Sequence, residues 1–427
     1  MEDCLPSEGG GYSYYLTMLA AINRHSFHQD VEIINLNFYK EVPGQLQLSK
    51  EVIYVKKTFF GALCYQVLNV LYKLLHRVLS VRVKLWLEAI SRLKHSINNN
   101  AARRILKREN IHLVYYLNPE ENLINYPMIV THWDIGHRSM YPFPEVAWNG
   151  NFEKRENYYR KILNKAFLIL CESETGAKEL QHYYPLNPAK IKVLPIFSGD
   201  VVSQQVSEKE QQQILSAFKL LKNEFYIYPA QFWAHKNHST LIQAFHSLLK
   251  EPGNGSLKLV LCGSDKGNLA YVKELINTLS LDNSVILPGF VSNEFLYTLY
   301  KNAIALVMPT FLGPTNIPVI EAAELECAVV CSNLEGHKEI LGNNALYFEP
   351  SCMSAIQYCM QRVLDDEMRK QLIASAYIHI RNSRFRVERS IPLLDRFLQQ
   401  LKPVRSAWGI NLKLLIAFAK IGFLSFN

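Results

Sequence analysis

The order of apolar runs along this chain of 427 residues predicts an α/β protein of two doubly wound domains, each a parallel sheet covered by helices. Short, continuous apolar runs alternate with amphipathic helical stretches, the pattern of strands buried on both faces by crossover helices. The alternation stops in a polar segment, 199–213, rich in Gln, Ser and Glu, and then restarts. The length also exceeds what one ordinary core holds and suits two.

In the first domain, 1–200, Gly9-Gly10-Gly11 leads into a helical pattern over 12–22. Small residues there let the backbone turn tightly, so that the helix N-terminus can face phosphate or sugar. A buried strand ordinarily precedes such a loop, and residues 1–8 are too short and polar to supply one, so the opening lacks its first strand or is unusual. A strand follows at 31–36. One long helical pattern runs over 59–93, with Phe60, Leu63, Val67, Leu71, Leu74 and Val78 at helical spacing. Lys73, Arg77, Arg82, Lys84, Arg92 and Lys94 are interleaved with them. Strands at 111–117, 128–131 and 166–171 and helices at 152–163 and 175–182 complete the unit.

The second domain, 201–375, reads as strands at 225–228, 257–262, 285–287, 303–308 and 328–331. Helices lie between them at 240–250, 271–279, 294–301 and 319–326, with a last one at 355–365. A ligand belongs at the carboxyl ends of such strands. A further helix covers 377–401. The tail, 403–427, carries Lys413 and Lys420 among Leu412, Leu414, Leu415, Ile416, Phe418, Ile421, Phe423 and Leu424. It reads as an amphipathic helix, docked either on the protein's own core or in a membrane interface.

A hydrophobic fraction of 49% excludes a disordered chain and a multi-span membrane protein. The net charge of +8 is modest for this length, so its distribution matters more than its sum. Eight cysteines form no CxxC pair, and Cys327 and Cys331 lack a companion His or Cys cluster, which argues against zinc. They read as free, buried thiols. No basic-then-apolar leader opens the chain, and the charge-free stretch 58–72 is too short for a bilayer. A cytoplasmic protein is expected, with the inner membrane surface as a candidate location.

Two stretches concentrate chemistry. In 228–245, YPAQFWAHKNHSTLIQAF, a strand ends, a basic loop follows and a helix starts near Ser239 and Thr240 as N-caps. His235 and Lys236 would sit above the strand ends, where an anionic diphosphate would lie. In 308–331 a strand leads through Gly313-Pro314-Thr315-Asn316 into a helix with proline in its first turn, exposing backbone N–H groups at the helix N-terminus. Glu321, one turn in, can point a carboxylate at vicinal hydroxyls.

Together these stretches resemble family 4 of the GT-B glycosyltransferases. The spacing from Gln231 to Lys236 matches that family's Arg-x4-Lys donor-phosphate pair, with Gln in place of Arg. Gly313 to Ala322, GPTNIPVIEA, matches its Glu-x7-Glu loop-helix. Glu321 falls on the second acid, the ribose ligand, and Gly313 on the first, which contacts the donor sugar. Thr315 and Asn316 are the nearest polar substitutes. Leu261-Cys262-Gly263 and Leu287-Pro288-Gly289-Phe290-Val291 match two further strand ends of the family, the second beside the nucleobase. Val130-Thr131-His132-Trp133-Asp134 resembles its His-Asp segment, whose His faces the donor sugar. The likeness is strong over 225–372 and elsewhere rests on the order of elements.

The resemblance implies a GT-B fold of two Rossmann-like domains facing a cleft, with a C-terminal helix (376–402) crossing back onto the first. It implies a retaining transfer from a nucleoside-diphosphate sugar to a hydroxyl of a glycan or lipid-linked glycan. His132, Lys236 and Glu321 are the expected catalytic set. Gly10, Gly11, Gln231, His235, Gly263, Phe290, Val291, Pro314, Thr315, Asn316 and Ile317 would complete the donor site. No metal site and no cofactor are expected, because no DxD-type pair stands where the phosphates would lie. His137 and Arg138 are weaker candidates for acceptor or phosphate contact, and Glu172 and Glu174 are read as structural caps. An anionic membrane surface is a further candidate partner; no nucleic-acid role is assigned. A non-catalytic sugar-nucleotide-binding or scaffold protein, and an epimerase or phosphorylase on the same fold, are the rival readings.

Overall fold

The structure is a computed structural model that describes residues 10–37, 48–75, 81–119, 124–401 and 414–419. Its strands, every one parallel to its neighbours, form two sheets. In the first, β1 (Val31–Asn37), β2 (Val52–Tyr54), β3 (Leu113–Tyr116), β4 (Met128–His132), β5 (Leu168–Cys171) and β6 (Ile191–Val193) are joined by a late strand, β13 (Leu414–Ala419). In the second, β7 (Phe225–Pro229), β8 (Lys258–Cys262), β9 (Val285–Gly289), β10 (Ala305–Met308), β11 (Ala328–Ser332) and β12 (Leu346–Phe348) run in the order β12-β11-β10-β7-β8-β9. All residues of β3, β4, β5, β10 and β11 are buried. Helices cover both faces of the sheets, which is why these strands read as unbroken apolar runs. Each fully buried Val, Leu or Ile there stabilises the sheet by about 1.5–3 kcal/mol relative to exposure.

The tail departs from expectation. Instead of an amphipathic helix, Leu414–Ala419 forms β13, and β13 lies in the middle of the first sheet, in the order β2-β1-β13-β3-β4-β5-β6. Ile416 pairs with Ile33 on one side and with Leu113 on the other. The tail thus supplies the strand between β1 and β3. Its apolar run satisfies a central strand, and such a run cannot be told from a helix by periodicity. Leu412, Lys413, Lys420, Ile421, Phe423 and Leu424 lie outside the described residues, as do Gly9, Arg77 and Val78.

Three further boundaries differ. The pattern at 59–93 is two helices packed on each other, α2 (Phe59–Leu75) and α3 (Val81–Arg108), following α1 (Gly10–Arg24). The stretch 377–401 is likewise divided, between Asp366–Asn382 and Val387–Gln399. The second of these crosses onto the first sheet's unit: Ser390 donates to the Pro195 carbonyl at 2.7 Å and Asp395 accepts from the His28 backbone N–H at 3.1 Å. Finally, the polar boundary segment contains the helix Glu208–Ala217, started by a Ser207–Glu210 capping box. Such a box satisfies two orphan backbone donors with polar residues, so polarity alone did not mark a loop.

The placement of β13 makes a prediction. Ile416→Pro removes one ladder N–H inside a central strand and orphans a carbonyl on a neighbour, which costs about 1–3 kcal/mol. Differential scanning calorimetry should show a lower melting temperature for the variant. An unchanged melting curve would contradict the central position of this strand.

Candidate active site

In the second sheet the strand order sets four loops side by side at one edge: after β10 (309–316), β7 (230–237), β8 (263–268) and β9 (290–292). Close approach at this edge needs two glycines. At Gly263, with φ of +156°, a Cβ would stand 2.3 Å from the Ala230 carbonyl oxygen; at Gly336 it would stand 1.9 Å from that of Pro314. Backbone atoms cannot give way, so both positions exclude a side chain.

The 230–237 loop is anchored from below. Tyr228 donates to the Lys236 carbonyl at 2.9 Å, and the buried Asn237 amide donates to the carbonyls of Pro309 and Pro350. Asn237 has φ of 59° and is the N-cap residue of the helix His238–Leu249. Ser239 and Thr240 are therefore inside the helix, not its caps, and Thr240 donates to Asn237 at 2.6 Å. The Gln231 side chain accepts from the Trp233 indole at 2.9 Å.

Lys236 reaches across to the 309–316 loop. Its Nζ donates to Asn316 Oδ1 at 3.1 Å. Asn316 Nδ2 in turn lies 2.9 Å from His337 Nε2, and His337 Nδ1 lies 2.8 Å from the Ser332 carbonyl. A carbonyl only accepts, so Nδ1 carries the proton and Nε2 accepts from Asn316. The amide is thereby oriented with its oxygen toward the ammonium. Burial lowers the His337 pKa to about 4, so the ring stays neutral. Burial also lowers Lys236, to about 8, against the opposing pull of Asp134 and Glu145. Among the described residues no carboxylate forms an ion pair with Lys236. It is a largely desolvated cation whose direct side-chain partner is a neutral amide, with Asp134 and Glu145 acting only from a distance.

Glu321 lies in the helix Ile317–Glu324, buried, accepting from Tyr300 at 3.1 Å. Burial raises its pKa to about 7, while Tyr300 and the Gly199 N–H pull it back. Its carboxylate faces Gly199 and the start of α1, since a Cβ on Gly199 would stand 3.1 Å from Glu321 Oε1 and 2.1 Å from Ser13 Oγ. Ile317 is buried at the helix start, and Val291 packs on the core while Phe290 stands 52% exposed at the β9 end.

The first sheet's unit closes the other side. His132, the last residue of β4, is buried. Tyr159 donates to the Asp134 carbonyl, so His132 Nδ1, 3.2 Å from the same hydroxyl, must be the donor to it. His132 Nε2 is therefore a bare acceptor, and it has no partner among the described residues. Burial takes the ring pKa down to about 4. The resemblance places His132 toward the donor sugar, and the geometry makes the side chain a neutral acceptor. Burial would raise the Asp134 pKa, but Arg155, at 2.5 Å, holds it at about 2. Gly11 lies against the Trp133 ring, where a Cβ would stand 2.9 Å from a ring carbon, and Gly10 is the first residue of α1. His137 and Arg138 are engaged with Tyr184 and Glu156 beneath the surface, which leaves them a structural role.

The two units meet across the cleft through polar side chains. Glu145 accepts from both the backbone N–H, at 2.9 Å, and the ring of His235. Glu339 accepts from the backbone N–H groups of Glu174 and Thr175, both at 2.8 Å, at the start of the helix Glu174–Tyr183. Arg384 bridges Glu174 and Glu339. Ser173, not Glu172 or Glu174, is the N-cap of that helix, accepting from Gly176 at 3.0 Å. Glu172 instead faces the cleft and accepts from Thr315 at 2.7 Å. Glu145 and His337 were missed, and Glu172 was misread as a cap, because their roles depend on partners more than twenty positions away in sequence. The one available signal was their place at or beyond strand ends.

Residues 211–379 match the family described as "Glycosyl transferases group 1". O-antigen chain mannosyltransferase B of Escherichia coli is 25% identical over 54% of this chain and 61% of its own length. The match thus spans less than two thirds of that relative. Among solved structures, sucrose-phosphate synthase of Thermosynechococcus elongatus aligns over 93% of this chain and 94% of its own, with a TM-score of 0.68 at 16% identity. HepE of Anabaena, solved in complex with UDP-glucose, aligns over 88% of this chain and 99% of its own, with a TM-score of 0.58 at 15% identity. At such identities the structures show the fold, a GT-B pair of α/β units. The chain carries a glycosyl transferases group 1 domain at residues 211–379, on a GT-B fold.

Proposed function

We propose that this protein transfers a sugar from a nucleoside-diphosphate sugar to an acceptor hydroxyl, with retention at the anomeric carbon. The observation that carries the reading is Lys236, a desolvated ammonium at the carboxyl end of a parallel sheet with only a neutral amide to hold it. Such a group is destabilised until an anion arrives, and a diphosphate supplies one. As the bond from the anomeric carbon to the diphosphate oxygen breaks, the electron pair leaves with the diphosphate. Lys236, with the N-terminus of the helix Ile317–Glu324 beside it, stabilises that charge. Glu321, ionised, would accept from the two ribose hydroxyls. Phe290 offers an exposed ring at the β9 end for the base. His132 Nε2 would accept from a sugar hydroxyl. The family match and the HepE complex with UDP-glucose support this reading over a non-catalytic scaffold.

Two titrations follow from the site. Glu321 must lose its proton, with a pKa of about 7, and Lys236 must keep its own, with a pKa of about 8. For free enzyme, kcat/KM should rise as pH passes 7 and fall as it passes 8, a narrow bell. Lys236→Ala should reduce turnover about 10²-fold or more and remove the alkaline limb. Near-wild-type turnover in Lys236→Ala, measured by nucleoside diphosphate release, would overturn the assignment.

The acceptor is proposed to be a glycan or lipid-linked glycan presented at an anionic membrane surface. On α2, Phe59 and Phe60 are 79% and 77% exposed, and Leu63, Val67, Val70, Leu71 and Leu74 also face outward. No residue of α2 is buried. From 56 to 108 the sequence carries twelve Lys or Arg against one acid, Glu88. Apolar area to bury with cations around it suits an interfacial helix, at about 1 kcal/mol per basic residue near the surface. Among the described residues no helix is long and apolar enough to cross a membrane. The protein should co-sediment with phosphatidylglycerol-containing vesicles, less so at high salt. Phe59→Ser with Phe60→Ser should abolish this while the melting temperature holds. No sedimentation at low salt, or equal binding to neutral vesicles, would leave a soluble acceptor as the answer.

A further inference from the structure

The loop 309–316, Pro-Thr-Phe-Leu-Gly-Pro-Thr-Asn, bounds the donor side of the cleft and contains no charged side chain. Its one amide is already engaged at both ends, by Lys236 and by His337. A transferred sugar presents several hydroxyls, and hydroxyls are recognised by acceptors that would otherwise be left unpaired. The loop itself offers no charged acceptor.

The acceptor comes from the opposite unit. Glu172 follows the last residue of β5 and is 6% exposed. Its Oε2 accepts from Thr315 Oγ1 at 2.7 Å, across the cleft. Among the described residues this is the only hydrogen-bond partner of its carboxylate, and no cation pairs with it. Burial pushes its pKa up to about 8, with Thr315 pulling the other way and Asp134 adding to the rise. A buried acid with one neutral partner costs the fold stability, where an apolar residue would cost nothing. The neighbours reinforce the placement: Ser173 Oγ reaches the Pro314 carbonyl at 3.4 Å, and a Cβ on Gly176 would lie 3.4 Å from the Pro314 side chain. The start of the helix Glu174–Tyr183 is thus pressed against the 313–316 loop, with Glu172 at its edge.

We propose that Glu172 recognises the hydroxyls of the transferred sugar. This rests on the donor-binding reading above and assigns the sugar contact within it. The Thr315 hydroxyl, bonded to Glu172, is chemically the donor that a sugar hydroxyl would be. When a sugar enters, its hydroxyls share or displace that bond, and the carboxylate can accept two of them. Recognition then comes from the acceptor-side unit and exists only while the cleft is closed, so binding the sugar favours closure.

The test separates the sugar from the nucleotide. Calorimetry would compare UDP with UDP-glucose, GDP with GDP-mannose, and ADP with ADP-glucose, on wild type, Glu172→Gln and Glu172→Ala. In the pair that wild type binds, Glu172→Ala should weaken the sugar nucleotide at least about tenfold, the scale of one hydrogen bond to a charged group. Affinity for the nucleoside diphosphate should stay within about twofold on the same scale. Glu172→Gln, which keeps shape and one acceptor, should fall between, and guards against a variant that fails to fold. Equal losses for both ligands would make Glu172 a cleft-closing residue and overturn the proposal, as would no loss for either. Wild type that binds a nucleoside diphosphate but not its sugar form would overturn it while sparing the nucleotide site. Wild type that binds none of the six would bring down the donor-binding reading and this proposal with it.

Discussion

A lysine ammonium that leaves water to be held by an amide oxygen is a costly arrangement, and much of the molecule is organised around tolerating it. Lys236 sits where β7 ends because Tyr228 and Asn237 fix the backbone of its loop. Its amide partner faces the right way because His337, neutral and fixed as the Nδ1–H tautomer, holds Asn316 from behind. The loop that carries Asn316 can approach only because Gly336 has no side chain. Each of these contacts joins a different strand end of one parallel sheet, so the strand order β11-β10-β7-β8 is a condition of the site as well as of the fold.

The two units are joined by polar contacts as well as by packing. Glu145 grips His235, Glu339 caps a helix of the other unit, and Glu172 meets Thr315. Such bonds are exchangeable with water and with ligand hydroxyls, at a net of about 1 kcal/mol each. A cleft held in this way can open and close at small cost, which a buried apolar seam could not. The helix Val387–Gln399 provides a lasting tie, with Ile391, Leu394 and Leu398 buried.

The sequence made the second sheet legible because its strands are buried on both faces and therefore apolar without interruption. Lys236 and Glu321 were legible by spacing, and the structure puts both at strand-end loops or the helix behind them. Three things were not legible. The run 414–419 is apolar and short, and nothing in it distinguishes a central strand from a helix until its neighbours are known. The break between α2 and α3 lies in a pattern that keeps helical periodicity across it. Glu172 sits one residue before the Ser173 cap, so an acid near a helix start was read as a capping group, whereas its carboxylate points to a loop 143 positions away. His132 was placed correctly at a strand end, but its tautomer is set by Tyr159, a contact that only the fold creates.

The central claim is that the cleft around Lys236 receives a nucleoside diphosphate. The most direct measurement is the melting temperature of the intact protein in the presence of UDP, GDP or ADP. A ligand that binds only the folded state stabilises it by ~2.7 kcal/mol at a hundred times its dissociation constant. The account predicts that one of the three raises the melting temperature by several degrees, in proportion to the logarithm of its concentration, and that inorganic phosphate does not. A melting temperature unmoved by all three at millimolar concentration would contradict it.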